Sequence, residues 1–226
     1  MSGDLYLAGG GSPRQEELVW RAAFDGVHQV VYWPFALPDD RIPGAPDWFR
    51  AGLAELGIEV EVDPWSSLAG RDPAELAAAD LIFVGGGTTS KLARHVRGHG
   101  FDRAVRDHLA AGGRYYGGSA GALLPCTSIA LAAPVDDDLD AAAEPAGLDL
   151  LTGATVLPHA NQFAAADQHR WSTELGQRLL AVPEASGIHV TATSCTVLGP
   201  DPVTVLDGPT STTYPTGHTI PGVHLR

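Results

Sequence analysis

The residues that best fit catalytic chemistry lie in Gly117-Gly118-Ser119-Ala120-Gly121, a G-x-S-x-G pattern. This pattern is typical of a nucleophile elbow, in which small neighbours let the chain turn sharply from a strand into a helix and leave the serine hydroxyl exposed. The backbone N–H of Ala120 would then point to where an oxyanion develops during acyl transfer. Ser119 is therefore the candidate nucleophile, although a glycine-rich turn with an incidental serine has the same pattern.

A second glycine-rich segment, residues 85–87, follows an apolar strand pattern at 80–84 and precedes a helix pattern at 91–97. A glycine loop in this position can bind phosphate, but the segment has neither the lysine of a P-loop nor the spacing of a dinucleotide site. We interpret it as a place where the backbone approaches the active site closely. Its Gly87 N–H is then the second oxyanion donor, beside that of Ala120.

The elements that must position these residues alternate between strand and helix along the first half of the chain. Strand patterns occupy residues 4–8, 29–35, 58–62, 80–84 and 114–118, and helix patterns occupy residues 13–24, 47–56, 72–79, 91–97 and 103–111. Such alternation with short connections predicts an α/β fold with a mostly parallel sheet sandwiched by helices, of the flavodoxin-like kind. The site is expected where the strands end at their carboxyl termini.

The second half of the chain has looser patterns. Residues 154–159 form a strand pattern that ends at His159, and residues 167–181 form a helix pattern. Four short strand patterns follow, at residues 187–192, 195–198, 203–206 and 210–214. We interpret them as an antiparallel meander that completes one edge of the sheet.

Composition excludes several classes of protein. The chain has 226 residues, 44% of them hydrophobic and 18% charged, which suits one α/β domain over residues 1–226. A net charge of −13 disfavours binding to nucleic acid or to an anionic membrane. No apolar run approaches the roughly 20 residues of a membrane span, and no signal sequence is recognised, so a cytoplasmic location is expected.

Candidate metal ligands are weak. Asp136, Asp137, Asp138 and Asp140 cluster in sequence, but their spacing fits no EF-hand, and a solvated acidic loop is the favoured interpretation. His95 and His99 have helical spacing without the glutamate of an H-E-x-x-H site. We predict neither a catalytic metal nor a cofactor. The two cysteines indicate no disulfide framework, and we interpret Cys126 as a small buried hydrophobic residue.

Four blocks of the sequence resemble the S51 serine peptidases, the family of dipeptidase E and, more distantly, cyanophycinase. They are Ile-Phe-Val-Gly-Gly-Gly-Thr at 82–88, Tyr-Gly-Gly-Ser-Ala-Gly-Ala at 116–122, Gly-Leu-Asp-Leu-Leu at 147–151 and Pro-His at 158–159. The resemblance covers most of the chain. It implies a fold similar to class I glutamine amidotransferases, with serine in place of their nucleophilic cysteine.

The resemblance assigns the nucleophile to Ser119, the general base to His159 and the oxyanion amides to Gly87 and Ala120. These roles agree with the chemistry, because an imidazole can take the serine proton and return it to the leaving amine.

The third member of the triad departs from the family pattern. The family's Asn-Asp aspartate falls here on Pro134, so Asp136 is the nearest candidate to orient His159, with Asp137 and Asp138 as alternatives. The glutamate that the family carries in a Leu-Pro-Glu-Gly segment finds no counterpart in residues 187–192. Glu184 is interpreted as part of a Pro-Glu turn.

The sequence therefore predicts a serine hydrolase of small peptides or peptide-like amides. A preference for aspartyl substrates is not expected, since residues 126–133 contain no arginine or lysine. A homologue with a degenerate triad that only binds a small ligand is the main alternative. An ammonia-supplying amidotransferase domain is disfavoured by Ser119, and an esterase would place its base at His218 or His224. The sequence leaves open whether the protein forms a homodimer.

Overall fold

The computed structural model describes residues 3–226. In this range the chain forms thirteen strands: β1 (Asp4–Ala8), β2 (Gln29–Trp33), β3 (Glu61–Pro64), β4 (Leu81–Val84), β5 (Arg114–Gly118), β6 (Leu151–Thr152), β7 (Thr155–Leu157), β8 (Leu179–Ala181), β9 (Gly187–Val190), β10 (Cys195–Leu198), β11 (Val203–Asp207), β12 (Thr210–Tyr214) and β13 (His224–Leu225).

The same residues form eight α-helices: α1 (Glu17–Phe24), α2 (Ala45–Leu56), α3 (Thr89–Gly98), α4 (Phe101–Ala110), α5 (Ala120–Leu123), α6 (Ala132–Asp136), α7 (Leu139–Ala143) and α8 (Ala165–Leu175). Short 3-10 helices lie at Ile42–Gly44, Pro73–Ala78 and Ala160–Gln162. None of the helices within residues 3–226 is both long enough and apolar enough to cross a lipid bilayer.

The main sheet has seven strands in the order β10-β9-β1-β5-β4-β2-β3. The strands β1, β5, β4, β2 and β3 run parallel, and β9 and β10 add antiparallel pairs at one edge. Consecutive strands from β1 to β5 are joined through helical connections, and the helices cover both faces of the sheet. The predicted α/β fold, with a mostly parallel sheet and an antiparallel edge near the C-terminus, is confirmed.

The two faces of the sheet carry separate hydrophobic clusters. On one face, Tyr6, Tyr32, Phe83 and Tyr116 of four neighbouring strands pack with aromatic residues of α1 and α2. On the other face, the intervening strand residues pack with α3, α4 and α5. This division follows from the alternation of side chains along a strand. The aromatic face becomes important below, because it extends to the end of β5.

The terminal meander is only partly as predicted. Strands β9 and β10 join the main sheet, but β11 and β12 belong to a second sheet in the order β12-β11-β8-β7. The helix predicted at 167–181 is wrong in its last part. It ends where Gly176 adopts a left-handed conformation, and the buried residues Leu179–Ala181 form β8 instead.

The acidic segment after the elbow is also different from the predicted solvated loop. It contains α6 and α7, and Asp138 between them is buried. The Asp138 carboxylate accepts hydrogen bonds from the backbone N–H and the hydroxyl of Ser90, both at 2.7 Å, in the first turn of α3. Asp140 instead pairs with Arg94 at 2.9 Å on an exposed surface. Asp138 thus fixes the start of α3, directly after the glycine segment 85–87.

We predict that Asp138→Asn lowers the free energy of unfolding by about 1–3 kcal/mol. The variant replaces one of the two carboxylate oxygens that accept from Ser90 with an NH₂ group, which cannot accept, and it removes the charge from the other hydrogen bond. The matched control Asp140→Asn removes an exposed ion pair and should cost about 0–1 kcal/mol. Urea unfolding of the two variants and the wild type measures both changes. Equal losses in the two variants would show that the Ser90 contacts add nothing beyond a surface ion pair.

Candidate active site

Ser119 lies in a sharp turn between β5, which ends at Gly118, and α5, which begins at Ala120. Its backbone has φ +53° and ψ −113°, a conformation that residues with a side chain rarely adopt. Glycine is required at position 117, since a Cβ there would lie 2.1 Å from the carbonyl oxygen of Gly121. The turn therefore has the strand–turn–helix geometry that the G-x-S-x-G pattern predicts.

His159 follows β7 and Pro158, and its backbone N–H donates to the carbonyl oxygen of Gly9 at 2.9 Å. Its Nε2 lies 3.0 Å from the Oγ of Ser119, within hydrogen-bond distance. The turn after β1 packs against both side chains. A Cβ at Gly10 would lie 2.5 Å from Cε1 of His159 and 2.9 Å from Cβ of Ser119. Only glycine at position 10 lets this turn support the serine and the histidine together.

Glu184 occupies the other side of the imidazole ring. Its Oε1 lies 3.1 Å from Nδ1 of His159 and accepts a hydrogen bond of 2.6 Å from the side chain of Gln162. The Asn161 side-chain amide donates to the second carboxylate oxygen at 3.3 Å. Burial raises the pKa of Glu184, but the hydrogen bonds from His159, Asn161 and Gln162 lower it more, so the pKa lies below its usual value.

These partners determine which ring nitrogen of the neutral imidazole carries the proton. A carboxylate only accepts hydrogen bonds, so Nδ1 carries the proton and donates a hydrogen bond to Glu184. In the neutral ring Nε2 then has a free lone pair, which faces the hydroxyl of Ser119. The arrangement can take the serine proton without any rotation of the ring.

Asp136 does not occupy the predicted place beside His159. It ends α6, and in the described part of the chain the carboxylate at Nδ1 is that of Glu184. Burial raises the pKa of Asp136; the charge of His159 lowers it, and Asp138 and Asp137 raise it again, so the pKa lies above its usual value.

Sequence reasoning did have a signal for Glu184. Glu184 lies in Val182-Pro183-Glu184-Ala185, which resembles the family's Leu-Pro-Glu-Gly segment. From the sequence alone, that segment was matched instead to residues 187–192. The Pro-Glu turn is real and is what presents the carboxylate. It packs against the turn after β1, where a Cβ at Gly9 would lie 2.0 Å from the carbonyl oxygen of Pro183.

The glycine segment 85–87 approaches Ser119 from the neighbouring strand β4. A Cβ at Gly86 would lie 3.1 Å from Cβ and 3.5 Å from Oγ of Ser119, so the backbone borders the serine. Gly87 has φ +139° and leaves no space for a side chain, because a Cβ would lie 2.3 Å from the carbonyl oxygen of Ala36. In the hydrogen bonds between residues 3–226, the N–H groups of Gly87 and Ala120 have no protein acceptor.

Glu16 is a residue of this region that sequence analysis missed. Its buried carboxylate accepts hydrogen bonds from the N–H groups of Gly10 and Gly11 at 2.7 and 2.9 Å, from Trp20 Nε1 at 3.3 Å and from the Tyr116 hydroxyl. It therefore ties the turn that supports His159 to the strand that ends at Ser119. Burial raises the pKa of Glu16 to about 7, although all four hydrogen bonds lower it.

The remaining candidates lie outside this arrangement. Cys126 is buried, and burial raises the pKa of its thiol to about 12, as suits the predicted small hydrophobic residue. Nε2 of His95 accepts the backbone N–H of Leu68 at 2.9 Å, and Nδ1 of His99 lies 2.9 Å from the carbonyl oxygen of His95. Within residues 3–226, no three side chains of His, Cys, Asp or Glu are grouped so as to hold a metal ion.

Known proteins resemble the chain over this same site. Residues 8–198, which include Ser119, His159 and Glu184, match the sequence model of peptidase family S51. The chain belongs to peptidase family S51. The resemblance that the four sequence blocks carry is thereby confirmed.

Curated relatives match a little less than half of the chain. An uncharacterized peptidase of Listeria monocytogenes is 32% identical over 108 residues, which are 47% of this chain and 53% of that protein. Peptidase E of Salmonella newport is 32% identical over 110 residues, 46% of this chain and 44% of that protein. This S51 chain thus spans about half the length of the curated relatives it matches.

Solved structures share the fold over nearly the whole chain. A peptidase from an acI-B1 Actinobacterium covers 97% of this chain and 97% of its own, with a TM-score of 0.71 and 20% identity. A putative peptidase E protein from Listeria monocytogenes covers 95% of this chain and 99% of its own, with a TM-score of 0.65 and 21% identity. At this level of identity, the likeness concerns the fold of the S51 chain.

We predict that Glu16 makes the stability of the protein depend on pH. The pKa of Glu16 rises from 4.5 to about 7 on folding. Between these two pH values the folded protein therefore keeps a proton that the unfolded chain loses. The stabilisation is complete below pH 4.5 and is lost as the pH rises through about 7, a difference of about 3 kcal/mol.

The variant Glu16→Gln removes this titration while its amide oxygen still accepts from Gly10 and Gly11. Urea unfolding from pH 4.5 to 8 measures the unfolding free energy of both proteins. As the pH rises, the wild type should lose stability relative to the variant. Parallel pH profiles for the two proteins would refute a protonated Glu16 in the folded state.

Proposed function

We propose that this chain is a serine-type peptidase that cleaves small peptides or peptide-like amides through an acyl-enzyme on Ser119. The observation that carries the proposal is the hydrogen-bonded series Ser119–His159–Glu184, with 3.0 Å between Oγ and Nε2 and 3.1 Å between Nδ1 and the carboxylate. This series has the polarity of a catalytic triad, in which an acceptor-only carboxylate orients a neutral base toward a hydroxyl.

The chemistry runs in two halves. Oγ of Ser119 forms a bond to the substrate carbonyl carbon while its proton passes to Nε2 of His159, and the negative oxygen faces the N–H groups of Gly87 and Ala120. The C–N bond then breaks, and the proton on Nε2 goes to the leaving amine. Water attacks the acyl-enzyme in the same way, and the proton that His159 takes from it returns to Oγ. Glu184 stabilises the imidazolium in both halves.

We further infer that residues 1–226 form one domain of the class I glutamine amidotransferase-like kind, with its nucleophile elbow at the end of a central parallel strand. The position of β5 between β1 and β4 supports this. The alternative of a binding protein with a degenerate triad rested on Pro134. It loses that support if Glu184 orients His159, because the departure at Pro134 then leaves the imidazole with a carboxylate partner.

The first prediction from this proposal concerns the nucleophile. Incubation with an alkyl fluorophosphonate should give one covalent adduct by intact mass, and peptide mapping should locate it on Ser119. Ser119→Ala should give no adduct, and His159→Ala should react much more slowly, since the serine proton then has no base to accept it. Absence of labelling in a folded wild-type protein would favour the alternative in which the protein only binds a ligand.

The second prediction separates the two candidate carboxylates. Glu184→Gln should lower the rate constant for fluorophosphonate labelling by about 10²–10⁴, because a neutral amide does not stabilise the imidazolium and can hold the ring in the wrong tautomer. Asp136→Asn is the matched control and should have a much smaller effect. The opposite ranking of the two variants would restore Asp136 as the orienting residue.

A further inference from the structure

A cavity of about 500 Å³ opens directly beside Ser119. It is bordered by Gly86 and Gly118 on the side of the serine and extends over the aromatic face of the main sheet. Its size is in the range of pockets that hold a small ligand. Because Ser119 itself lines the cavity, a peptide that reacts with the serine can place part of its structure there.

Five of the residues that line this cavity are aromatic. Phe83 of β4 and Tyr116 of β5 stack with ring centroids 4.2 Å apart, and Trp20 of α1 meets the edge of Phe83 at 4.9 Å. These three rings are buried and form a rigid floor. Trp48 of α2 also lines the cavity and contacts one of these rings, with its own ring 6.4 Å from that of Trp20 in an edge-on arrangement.

Trp48 differs from the other rings because half of it is exposed. Its relative exposure is 50%, which makes it one of three large hydrophobic residues on the surface of the described chain. An indole that lines a cavity beside a reactive serine offers an apolar surface for a substrate side chain. Removal of this ring should leave the buried floor intact.

The charges around the cavity disfavour an acidic side chain. The carboxylate of Glu16 lies in its wall, and the four hydrogen-bond donors already occupy it, so it also has no place for a cationic side chain. Asp40 and Arg41 lie at the mouth, where both are exposed and carry opposite charges. Exposed charges of this kind contribute little to the binding of a charged group.

The position of His159 indicates which part of the substrate enters the cavity. The imidazole gives its proton to the leaving amine, so the leaving group lies beside His159. In the described part of the chain His159 does not line this cavity, whereas Ser119 and Gly118 do. Gly10, which packs against His159, borders the cavity as well. We assign the cavity to the acyl side because Ser119 and Gly118 line it directly, and alanyl-phenylalanine in the test below probes the opposite side.

We propose that this cavity is a specificity pocket for a large apolar or aromatic side chain on the acyl side of the cleaved bond, and that Trp48 is its specificity-determining residue. This inference rests on the proposed function and names its substrate class. It replaces an aspartyl preference with a preference for residues such as phenylalanine and leucine.

The test compares kcat/KM for five dipeptides: phenylalanyl-alanine, leucyl-alanine, alanyl-alanine, aspartyl-alanine and alanyl-phenylalanine. Wild-type protein should cleave phenylalanyl-alanine at least about tenfold better than aspartyl-alanine or alanyl-phenylalanine. Trp48→Ala should lower the value for phenylalanyl-alanine about tenfold more than that for alanyl-alanine. Trp48→Phe should restore most of the loss.

Two controls separate specificity from a general defect. Leu18→Ala removes another half-exposed hydrophobic side chain, on α1 and outside the cavity, and should leave all five values unchanged. Trp48→Ala should still give one fluorophosphonate adduct on Ser119, since the serine and its base are not altered.

The outcomes distinguish this inference from the function on which it rests. A protein that labels at Ser119 but prefers aspartyl-alanine or alanyl-phenylalanine, cleaves none of the dipeptides, or is insensitive to Trp48→Ala overturns the inference alone. A folded wild-type protein that neither labels nor cleaves any dipeptide overturns the proposed function, and the inference with it.

Discussion

The hydrogen bond between Oγ of Ser119 and Nε2 of His159 joins two parts of the fold that have separate sheets. Ser119 follows β5 in the main sheet, and His159 follows β7 in the second sheet. A glycine turn lies against both residues, and a side chain on Gly10 would collide with each of them. The turn at Gly9 and Gly10 packs against the Pro-Glu turn on one side and against both reactive side chains on the other. Close packing of glycine-containing turns is thus the constraint on which the site depends.

Glu16 adds a second constraint, of an electrostatic kind. A buried carboxylate is unfavourable unless hydrogen bonds compensate for the lost water, and here four donors do so. Those donors come from the turn after β1, from α1 and from β5, so their common acceptor holds the three elements in one arrangement. Because burial raises the pKa of Glu16 to about 7, ionisation of this group in the folded protein remains less favourable than in water.

The sequence carried the local features of the fold and site well, because strand–turn–helix patterns, glycine loops and a histidine at a strand end are signals within a few residues. It did not carry long-range pairings. Glu184 and Asp136 are both carboxylates near a turn, and long-range packing, including that of the Gly9 turn against Pro183, places Glu184 beside His159. Glu16 has the pattern of an ordinary helix-start residue, and the helix predicted at 167–181 continues a periodic pattern into what tertiary pairing makes β8.

The most direct test of the account is a crystal structure of the protein after reaction with a fluorophosphonate. The account predicts a covalent bond between phosphorus and Oγ of Ser119, a phosphoryl oxygen that accepts from the N–H groups of Gly87 and Ala120, and His159 still bonded to Glu184. Modification of another residue, or a phosphoryl oxygen that faces away from both N–H groups, would contradict it.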